Sequence, residues 1–496
     1  MNYLKKRRSG ILLHISSLPG NTGIGTLGKN ARKFIDLLSD AGQNYWQILP
    51  VGPTSYGDSP YQSFSTFAGN PYFIDLDTLA DQGYLSRSDY ENIVWGENEA
   101  STDYSVLYHQ RTKVFKILHE NFKNNIPSDY EKFVYENSDW LEDYALFMAV
   151  KDVHGGKPFD QWEDNIRFRK AVPEWKSKCK NEIEYYKMLQ YFFFKQWFDL
   201  KEYANQHNIR IIGDIPIYVS RDSADVWASP EQFFLDEKCI PIEVAGCPPD
   251  GFSADGQLWG NPVYNWDYMN TTGYQWWKKR ISSSLKIYDI LRIDHFRGFD
   301  SYYCIPYGSP NAQNGHWRQG PGMHFFNELK ETIGDKDIIA EDLGFLTDSV
   351  KKLLNDSGFP GMKVLQFAFD SREESDYLPF NYNKHSVVYT GTHDNDTING
   401  WTETAGQHDV ENAKEYLRCD VKAIREEMMC TALSSISNTC ILTMQDLIGL
   451  GSEARMNKPS TLGNNWKWRC TEKQLNSENL KFLKQFTEVF GRRNRF

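Results

Sequence analysis

The stretch Asp289-Ile290-Leu291-Arg292-Ile293-Asp294 is the clearest indicator of the fold in this chain of 496 residues. Apart from Arg292 its interior is continuously apolar, which is typical of parallel strands that are buried on both faces. Seven similar runs, with room for helices between them, lie at residues 11–15, 45–49, 209–214, 337–341, 364–367, 387–390 and 440–444. Eight parallel strands joined by helical connections predict an α/β fold, a (β/α)8 TIM barrel that spans residues 1–496.

Two intervals between these runs are much longer than the roughly 30 residues that one strand and its helix need. The first contains aromatic-rich segments of helical character, which predict a mainly helical subdomain at residues 51–205, inserted between barrel strands 2 and 3. The second contains residues 245–267, which are rich in glycine, proline and aromatic residues and show weak periodicity. Long ordered loops are usually functional, so we expect residues 245–267 to form an active-site loop between strands 3 and 4.

Charge and composition exclude several classes of function. The chain has 55 Lys and Arg against 66 Asp and Glu, and this net charge of −11 would repel nucleic acid or an anionic membrane. No run approaches 18 apolar residues, and the basic start at residues 1–10 lacks a signal-type apolar stretch, so we expect a cytoplasmic protein. Eight cysteines without a Cys-x-x-Cys pair do not indicate a disulfide scaffold. The 15 Trp, 28 Tyr and 30 Phe are an unusually large aromatic content for a polar chain.

Several motifs fail when they are examined closely. Gly23-Ile24-Gly25-Thr26-Leu27-Gly28 has the glycine pattern of a dinucleotide site, but it does not follow its strand directly, and the next strand leads into Pro50 instead of an acidic residue. Asn30 stands where a phosphate loop needs Ser or Thr. The sequence has no His-Glu-x-x-His run, close Cys/His cluster or Gly-x-Ser-x-Gly elbow. We therefore expect no cofactor and no catalytic metal.

Acidic residues lie at or just beyond the ends of four of the predicted strands. They are Asp214, Asp294, the pair Glu341 and Asp342, and Asp394. A single acidic residue at a strand end is ordinarily a helix cap or a solvated turn residue. The carboxyl ends of parallel barrel strands, however, all meet at one mouth, where the chemistry of such barrels takes place. The four strand ends therefore predict a cluster of carboxylates in one pocket.

A pocket with several carboxylates and many aromatic residues suits cleavage of a glycosidic bond. The transition state resembles an oxocarbenium ion, which one ionised carboxylate attacks or stabilises while a second, protonated carboxyl group releases the leaving oxygen. Burial and neighbouring negative charge keep that second group protonated. Aromatic faces pack against the apolar face of a sugar, and Asp, Arg, His and Asn side chains bind its hydroxyl groups.

The sequence resembles the amylomaltases or disproportionating enzymes, the 4-alpha-glucanotransferases of the wider α-amylase clan. Three segments resemble the catalytic blocks of this family: RIDHFRGF at 292–299, AEDLG at 340–344 and GTHDNDT at 391–397. Further blocks extend the match in order from residues 18–20 to residues 466–469. The resemblance implies a catalytic barrel that transfers α-1,4-glucan segments to the 4-hydroxyl of an acceptor glucan. Its partners would be α-1,4-glucans and maltooligosaccharides of starch or glycogen metabolism.

The resemblance also implies a role for each matching residue. Asp294 would be the nucleophile, and Arg292, two residues earlier on the same strand face, would hold it ionised. Glu341 would be the general acid and then the general base. Asp394 would stabilise the transition state by binding sugar hydroxyls, with His393 beside it.

Other positions are implied for the substrate groove. On the donor side of the scissile bond, the groove would be lined by Tyr61, Asp214 and Asn464. On the acceptor side, it would be lined by Asp342, Gln257 and Trp259. Tyr56 resembles a position in a second glucan-binding groove. Transfer also requires that water be kept from the intermediate, and we expect Phe252 and Trp259 in the long loop to shield it.

Simpler interpretations of several residues stay open. Arg292 could merely neutralise Asp294 in a structural ion pair. His393 could be an ordinary histidine at a strand end, and Trp259 and Tyr56 could be packing residues of a loop and a turn. The sequence alone does not separate a transferase from an α-glucan hydrolase, since both share the first half of the reaction. A glucan-binding scaffold without activity is a further alternative, but it would not need Asp294, Glu341 and Asp394 together.

Overall fold

The computed structural model describes residues 3–55, 57–249, 254–344, 346–371 and 375–493. In chain order the strands are β1 (Arg8–Leu12), β2 (Tyr45–Gln47), β3 (Arg210–Pro216), β4 (Glu243–Cys247), β5 (Gln257–Pro262), β6 (Ile290–Asp294), β7 (Ser301–Pro306), β8 (His316–Gln319), β9 (Ile338–Ala340), β10 (Gly361–Val364), β11 (Ser386–Tyr389) and β12 (Thr439–Thr443).

Eight of these strands form the central sheet, in the order β10, β11, β12, β1, β2, β3, β6 and β9. Neighbouring strands in this order pair in parallel. The two ends of the sheet also approach each other, because the amide of Ala340 at the end of β9 donates to the carbonyl of Pro360 before β10 at 3.0 Å. The sheet is thus a nearly closed barrel, and the predicted (β/α)8 fold is confirmed.

All eight predicted runs correspond to barrel strands, but two of the runs are displaced toward later residues. For the run at 11–15 the strand is β1, which ends at Leu12, and Ile15–Ser17 already form a 3-10 turn. For the run at 364–367 the strand is β10, which ends at Val364, and Leu365–Phe369 form a 3-10 helix. Strand pairing with β11 includes Lys363, whose charge interrupts the apolar pattern and shifted the prediction toward later residues.

The helices are α1 (Lys29–Asp40), α2 (Leu76–Asp81), α3 (Tyr104–Asn124), α4 (Tyr130–Glu136), α5 (Ser138–Val153), α6 (Asp164–Arg167), α7 (Val172–Lys178), α8 (Lys180–Gln206), α9 (Ala224–Ala228), α10 (Trp266–Thr271), α11 (Gln275–Ile287), α12 (Gly322–Ile333), α13 (Asp348–Ser357), α14 (Ile398–Thr404), α15 (Gln407–Leu417), α16 (Ile424–Ser434), α17 (Met444–Ile448) and α18 (Lys481–Val489). Within the described ranges, none of the helices combines the length and the apolar character needed to cross a membrane.

Helices α2 to α8 lie between β2 and β3, where a helical insertion at 51–205 is predicted. The long helix α8 packs back onto the barrel layer: the Trp197 indole donates to the carbonyl of Ile287 at 3.1 Å and meets the ring of Tyr288 edge to face. One continuous apolar core contains residues of these helices and of the barrel strands. That residues 51–205 form a separate subdomain stays a prediction.

Residues 245–267, predicted to be a loop, contain much of a second sheet. The antiparallel order is β5, β4, β7 and β8, so the segment is mainly a β-hairpin whose outer strand ends near the start of α10. Gly246 and Gly260 interrupt the alternation of apolar and polar residues by which strands are recognised in a sequence. The pairing of β4 with β5 also shifts in register between Val244 and Gly246. Phe252 lies outside the described residues, so its shielding role stays a prediction.

Arg7, near the start of the chain, and Arg492, near its end, both donate hydrogen bonds to carbonyls at the C-terminal end of α16. The side chain of Arg492 is fully buried and donates to the carbonyls of Leu433 at 2.6 Å, Arg8 at 2.9 Å and Ser437 at 3.0 Å. Arg7 donates to the carbonyls of Ser435 and Phe490, at 2.5 and 3.0 Å. The last carbonyls of a helix lack intrahelical partners and favour positive charge, so both arginines stabilise this end.

Arg492→Met is therefore expected to lower the free energy of unfolding by about 3 kcal/mol or more, because several buried carbonyls lose a charged donor. The neighbouring Arg493→Met is the matched control, since the side chain of Arg493 is exposed and lies 3.6 Å from that of Glu488. Thermal melting should show a clear drop for the first variant and little change for the second. Equal melting temperatures would contradict the role given to Arg492.

Candidate active site

Arg292 connects two acidic residues at the mouth of the barrel. Its side chain is 3% exposed, and its two terminal nitrogens lie 2.6 Å from Asp214 Oδ2 and 2.9 Å from Asp294 Oδ1. The register of β3 and β6 sets Asp214 opposite Arg292, and Asp294 follows on the same strand face. Burial opposes the charge of Arg292, but these carboxylates raise its pKa well above the ordinary value. Arg292 is thus a fixed positive charge beside Asp294.

Glu341 directly follows β9 and accepts two backbone amides. The amide of His295 donates to Oε2 at 2.7 Å, and that of Leu343 donates to Oε1 at 2.8 Å. His295 has a φ of 56°, which is uncommon for a residue other than glycine and accompanies the turn of its amide toward Glu341. Burial and the charge of Asp294 raise the pKa of Glu341 to about 8, although Arg292 and the two amides oppose the shift. This environment therefore favours the protonated form of Glu341.

Asp394 joins the same cluster through aromatic neighbours. Its Oδ1 accepts from the side-chain amide of Asn457 at 2.6 Å, and its Oδ2 lies 3.4 Å from His393 Nε2. The ring of His393 stacks on Tyr61 with centroids 5.0 Å apart, and the hydroxyl of Tyr61 donates to Asp214 at 2.9 Å. The side chain of Asp394 is 44% exposed, so it faces the open mouth from a fixed position.

Trp259 of β5 contacts the segment that follows the predicted nucleophile. The indole of Trp259 donates to the side-chain carbonyl of Gln257 at 3.1 Å. The same indole meets the ring of His295 edge to face, with centroids 4.8 Å apart. The hairpin of β4 and β5 therefore covers one side of the mouth beside the amide that holds Glu341.

The described residues include two further predicted site residues, Asp342 and Asn464. Asp342 is buried, and its carboxylate accepts a hydrogen bond from the amide of Met362 at 2.6 Å. That Asp342 contacts the acceptor glucan stays a prediction. Asn464 is exposed in the loop that also contains Asn457, and its donor-side role stays a prediction. Tyr56, like Phe252, lies outside the described residues.

Sequence reasoning missed several residues that shape the site. Asn457 and the backbone of His295 hold two of the predicted catalytic groups. Arg455 donates to the carbonyl of Asp394 at 2.6 Å. Trp466 belongs to a matched block without an assigned role, and its ring lies 5.8 Å from that of Tyr61 between centroids. The block match was the one available signal for Trp466, while a backbone amide and a loop asparagine leave no pattern in the sequence.

The arrangement can act on a glycosidic bond. Glu341, whose pKa is raised, shares the charge of Arg292 with Asp294, which contacts that arginine directly, and glycosidases use such pairs of acidic residues with different protonation tendencies. Within the described ranges, no three His, Cys, Asp or Glu residues are grouped so as to hold a metal ion. Arg292 supplies a positive charge beside Asp294.

Comparisons with known proteins show which family the chain resembles. The family model described as 4-alpha-glucanotransferase matches residues 13–475. The chain is 49% identical over 485 residues to a 4-alpha-glucanotransferase of Clostridium butyricum, which covers 97% of this chain and 100% of the relative. It is 45% identical to one of Thermus thermophilus, over 98% of this chain and 99% of the relative.

Solved structures give the same result. The amylomaltase from Streptococcus agalactiae in complex with acarbose aligns with a TM-score of 0.96 and 44% identity, over 99% of this chain and 100% of that one. The amylomaltase from Corynebacterium glutamicum, at 17% identity, shares the fold with a TM-score of 0.78, over 99% of this chain and 76% of that one. The resemblance inferred from the catalytic blocks is confirmed, and the chain belongs to the 4-alpha-glucanotransferase family.

Proposed function

We propose that this 4-alpha-glucanotransferase moves α-1,4-glucan segments by a retaining double displacement with a covalent glucosyl intermediate on Asp294. The observation that carries the proposal is the contrast between two neighbouring acidic residues. Arg292 contacts the carboxylate of Asp294 at 2.9 Å, while burial raises the pKa of Glu341. Such a pair supplies both a nucleophile and an acid at one glycosidic bond.

In the first half of the reaction, an oxygen of Asp294 forms a bond to the anomeric carbon of the donor. The bond from that carbon to the bridging oxygen breaks, and Glu341 gives its proton to the leaving oxygen. The acceptor-side fragment then departs with a free 4-hydroxyl. A glucosyl ester on Asp294 and an ionised Glu341 remain.

In the second half, the 4-hydroxyl of another glucan attacks the anomeric carbon. Glu341 takes the proton of this hydroxyl, and the ester bond to Asp294 breaks. Two inversions restore the configuration of the donor, so an α-1,4 bond is remade. Sugar hydroxyls that donate to the carboxylate of Asp394 and hydrogen-bond with His393 make stronger contacts in the transition state, which lowers the barrier.

Transfer differs from hydrolysis only in which hydroxyl captures the intermediate. The hairpin of β4 and β5 supports transfer, because Trp259 packs against His295 directly beside the segment that carries the nucleophile. A covered acceptor side limits the access of water to the ester. We propose that the acceptor glucan binds along this hairpin and that acarbose, present in the Streptococcus agalactiae structure, binds in this mouth as well.

Incubation with maltotriose tests the proposed function. A transferase produces glucose and a ladder of longer oligosaccharides while the number of reducing ends stays constant. A hydrolase produces glucose and maltose with a steady increase in reducing ends, and a scaffold produces nothing. A steady increase without longer products would contradict transfer and favour the hydrolase.

The pH dependence of donor cleavage follows from the raised pKa of Glu341. The acid must be protonated, so kcat/KM for the donor should be high below this pKa and fall as the pH rises through about 8, instead of near the ordinary 4.5. The control is α-maltosyl fluoride, because fluoride leaves without a proton and should show no such decrease. An alkaline decrease that is identical for both donors would contradict the role of Glu341.

Asn457 is expected to affect catalysis through Asp394. Removing its amide in Asn457→Ala should lower kcat/KM for maltotriose by about 10- to 100-fold, because a hydrogen bond to a charged group is lost. Asn465→Ala is the matched control, since the Asn465 amide donates within the same loop to the carbonyl of Thr461 at 3.0 Å. Equal kinetics of the two variants would show that Asp394 does not depend on Asn457.

A further inference from the structure

The barrel closes between β9 and β10 through individual contacts. These two strands stand at opposite ends of the strand order, and no strand pair joins them in the described part of the chain. The amide of Ala340 donates to the carbonyl of Pro360 at 3.0 Å, and the carboxylate of Asp342 accepts the amide of Met362 at 2.6 Å. The side chain of Asp342 thus accepts a backbone amide here, whereas backbone carbonyls accept such amides where strands pair elsewhere in the barrel.

The carboxylate of Asp342 is tightly enclosed at this closure. The residue is 7% exposed, and it lies directly against Gly361. A Cβ atom at position 361 would come within 2.5 Å of Asp342 Oδ2, a distance that such atoms do not adopt. Position 361 must therefore lack a side chain for Asp342 to reach the amide of Met362.

Met362 connects this closure to the predicted nucleophile. Its side chain is buried, and its sulfur accepts from Arg292 Nε at 3.3 Å. The three nitrogens of the guanidinium thus contact Met362, Asp214 and Asp294. Because a guanidinium is planar and rigid, its orientation toward Asp294 depends on all three contacts.

We propose that Asp342 is a positioning residue for glucan transfer, because it fixes Met362 and thereby the guanidinium of Arg292 that orients Asp294. The inference rests on the proposed roles of Asp294 and Glu341. It assigns Asp342 a function different from the acceptor contact that the family resemblance implies. The path from Asp342 through Met362 and Arg292 to Asp294 consists of contacts of 3.3 Å or less.

The proposal predicts a shift in the pH profile. Glu341 faces Asp294 and Arg292 on β6 and the hydroxyl of Tyr377, which accepts the amide of Gly344 at 3.2 Å. Arg292 lowers the pKa of Glu341, whereas Asp294 raises it. If Arg292 tilts away, the alkaline decrease in kcat/KM should move to higher pH. A loss of folded protein would lower the amplitude and leave the position of the decrease unchanged.

The test compares four variants in transfer from maltotriose and in the pH profile. Asp342→Ala and Gly361→Ala both remove the Asp342 contact, and Met362→Leu keeps the volume but removes the sulfur acceptor. These three should lower kcat by about 10- to 100-fold, as expected for a displaced reacting group, with the alkaline decrease at higher pH and an unchanged acceptor KM. Asp342→Asn should retain most of the activity, because its side-chain oxygen still accepts the amide of Met362.

Asp337→Ala is the matched control at the opposite end of β9. Asp337 is also buried and accepts the amides of Tyr3 and Leu4 at 2.9 and 3.3 Å. Its substitution should lower the melting temperature and leave the pH profile in place. If Asp342→Ala fails to fold, Asp342→Asn and Met362→Leu still decide the question.

Two results would overturn the proposal. The first is an increase in acceptor KM, equal in Asp342→Asn and Asp342→Ala, at an unchanged pH profile, which would mean a direct contact with the acceptor. The second is a set of variants that differ from wild type only in stability, as Asp337→Ala should. A crystal structure of Asp342→Ala shows whether Arg292 moves. Failure of the proposed function would be seen separately, because Asp294→Asn would then remain active.

Discussion

Asp294→Asn is expected to lower the rate of maltotriose disproportionation by about 10⁴-fold or more, as removal of a nucleophile does in other enzymes that form covalent intermediates. An amide is a poor nucleophile, but it has nearly the same shape as the carboxylate and can still accept from Arg292. Folding and acarbose binding should therefore be preserved. Initial rates, the melting temperature and the acarbose dissociation constant measure the three expectations.

Asp300→Asn is the matched control for this prediction. Asp300 follows in the same segment of chain, is buried, and accepts from the hydroxyls of Ser301 and Ser349 at 3.1 and 3.0 Å. Since it contacts neither Arg292 nor Glu341 in the network described above, its substitution should leave kcat nearly unchanged. Full turnover by Asp294→Asn would show that another group attacks the donor.

Glu341→Gln is expected to lower transfer between natural glucans by about 10²- to 10⁴-fold, the usual contribution of a general acid or base. The size of the loss should depend on the leaving group. A glucan oxygen needs a proton from Glu341, whereas fluoride does not. With α-maltosyl fluoride as the donor, formation of the intermediate should thus remain fast in this variant.

The second half of the reaction separates the base role of Glu341 from its acid role. A glucan acceptor must lose a proton, so Glu341→Gln should accumulate the intermediate when the donor is α-maltosyl fluoride. Azide is a nucleophile without a proton to lose, and it should restore turnover and give an α-glycosyl azide. A uniform loss for all donors, without rescue by azide, would mean that Glu341 has a structural function instead.

The barrel and its acidic strand ends could be predicted because both depend on local sequence. Continuous apolar runs identify buried parallel strands, and the fold geometry then brings their carboxyl ends together. Asp294 and Asp214 lie on adjacent strands as this reasoning requires, with Arg292 between them. The position of this acidic cluster at the barrel mouth could therefore be predicted from the sequence, while the catalytic roles of its members stay predictions.

Other parts depend on contacts between segments far apart in the chain. Asn457 reaches Asp394 from a loop without a periodic pattern. The strand β10 is recognised by its pairing with β11 more than by its composition, since it contains Gly361 and Lys363. The carboxylate of Asp342 belongs to a matched block, but only the structure shows that it accepts the amide of Met362.

The central claim, a covalent glucosyl bond to Asp294, is tested most directly by mass spectrometry after reaction with a ring-fluorinated α-glucosyl fluoride. The fluoride leaves readily, while the ring fluorine destabilises the positively charged transition state of the second half, so the intermediate should persist. We predict a mass increase of one fluoroglucosyl unit on the peptide that contains Asp294, and none in Asp294→Asn. Consumption of the reagent without an adduct, or an adduct on Glu341, would contradict the account.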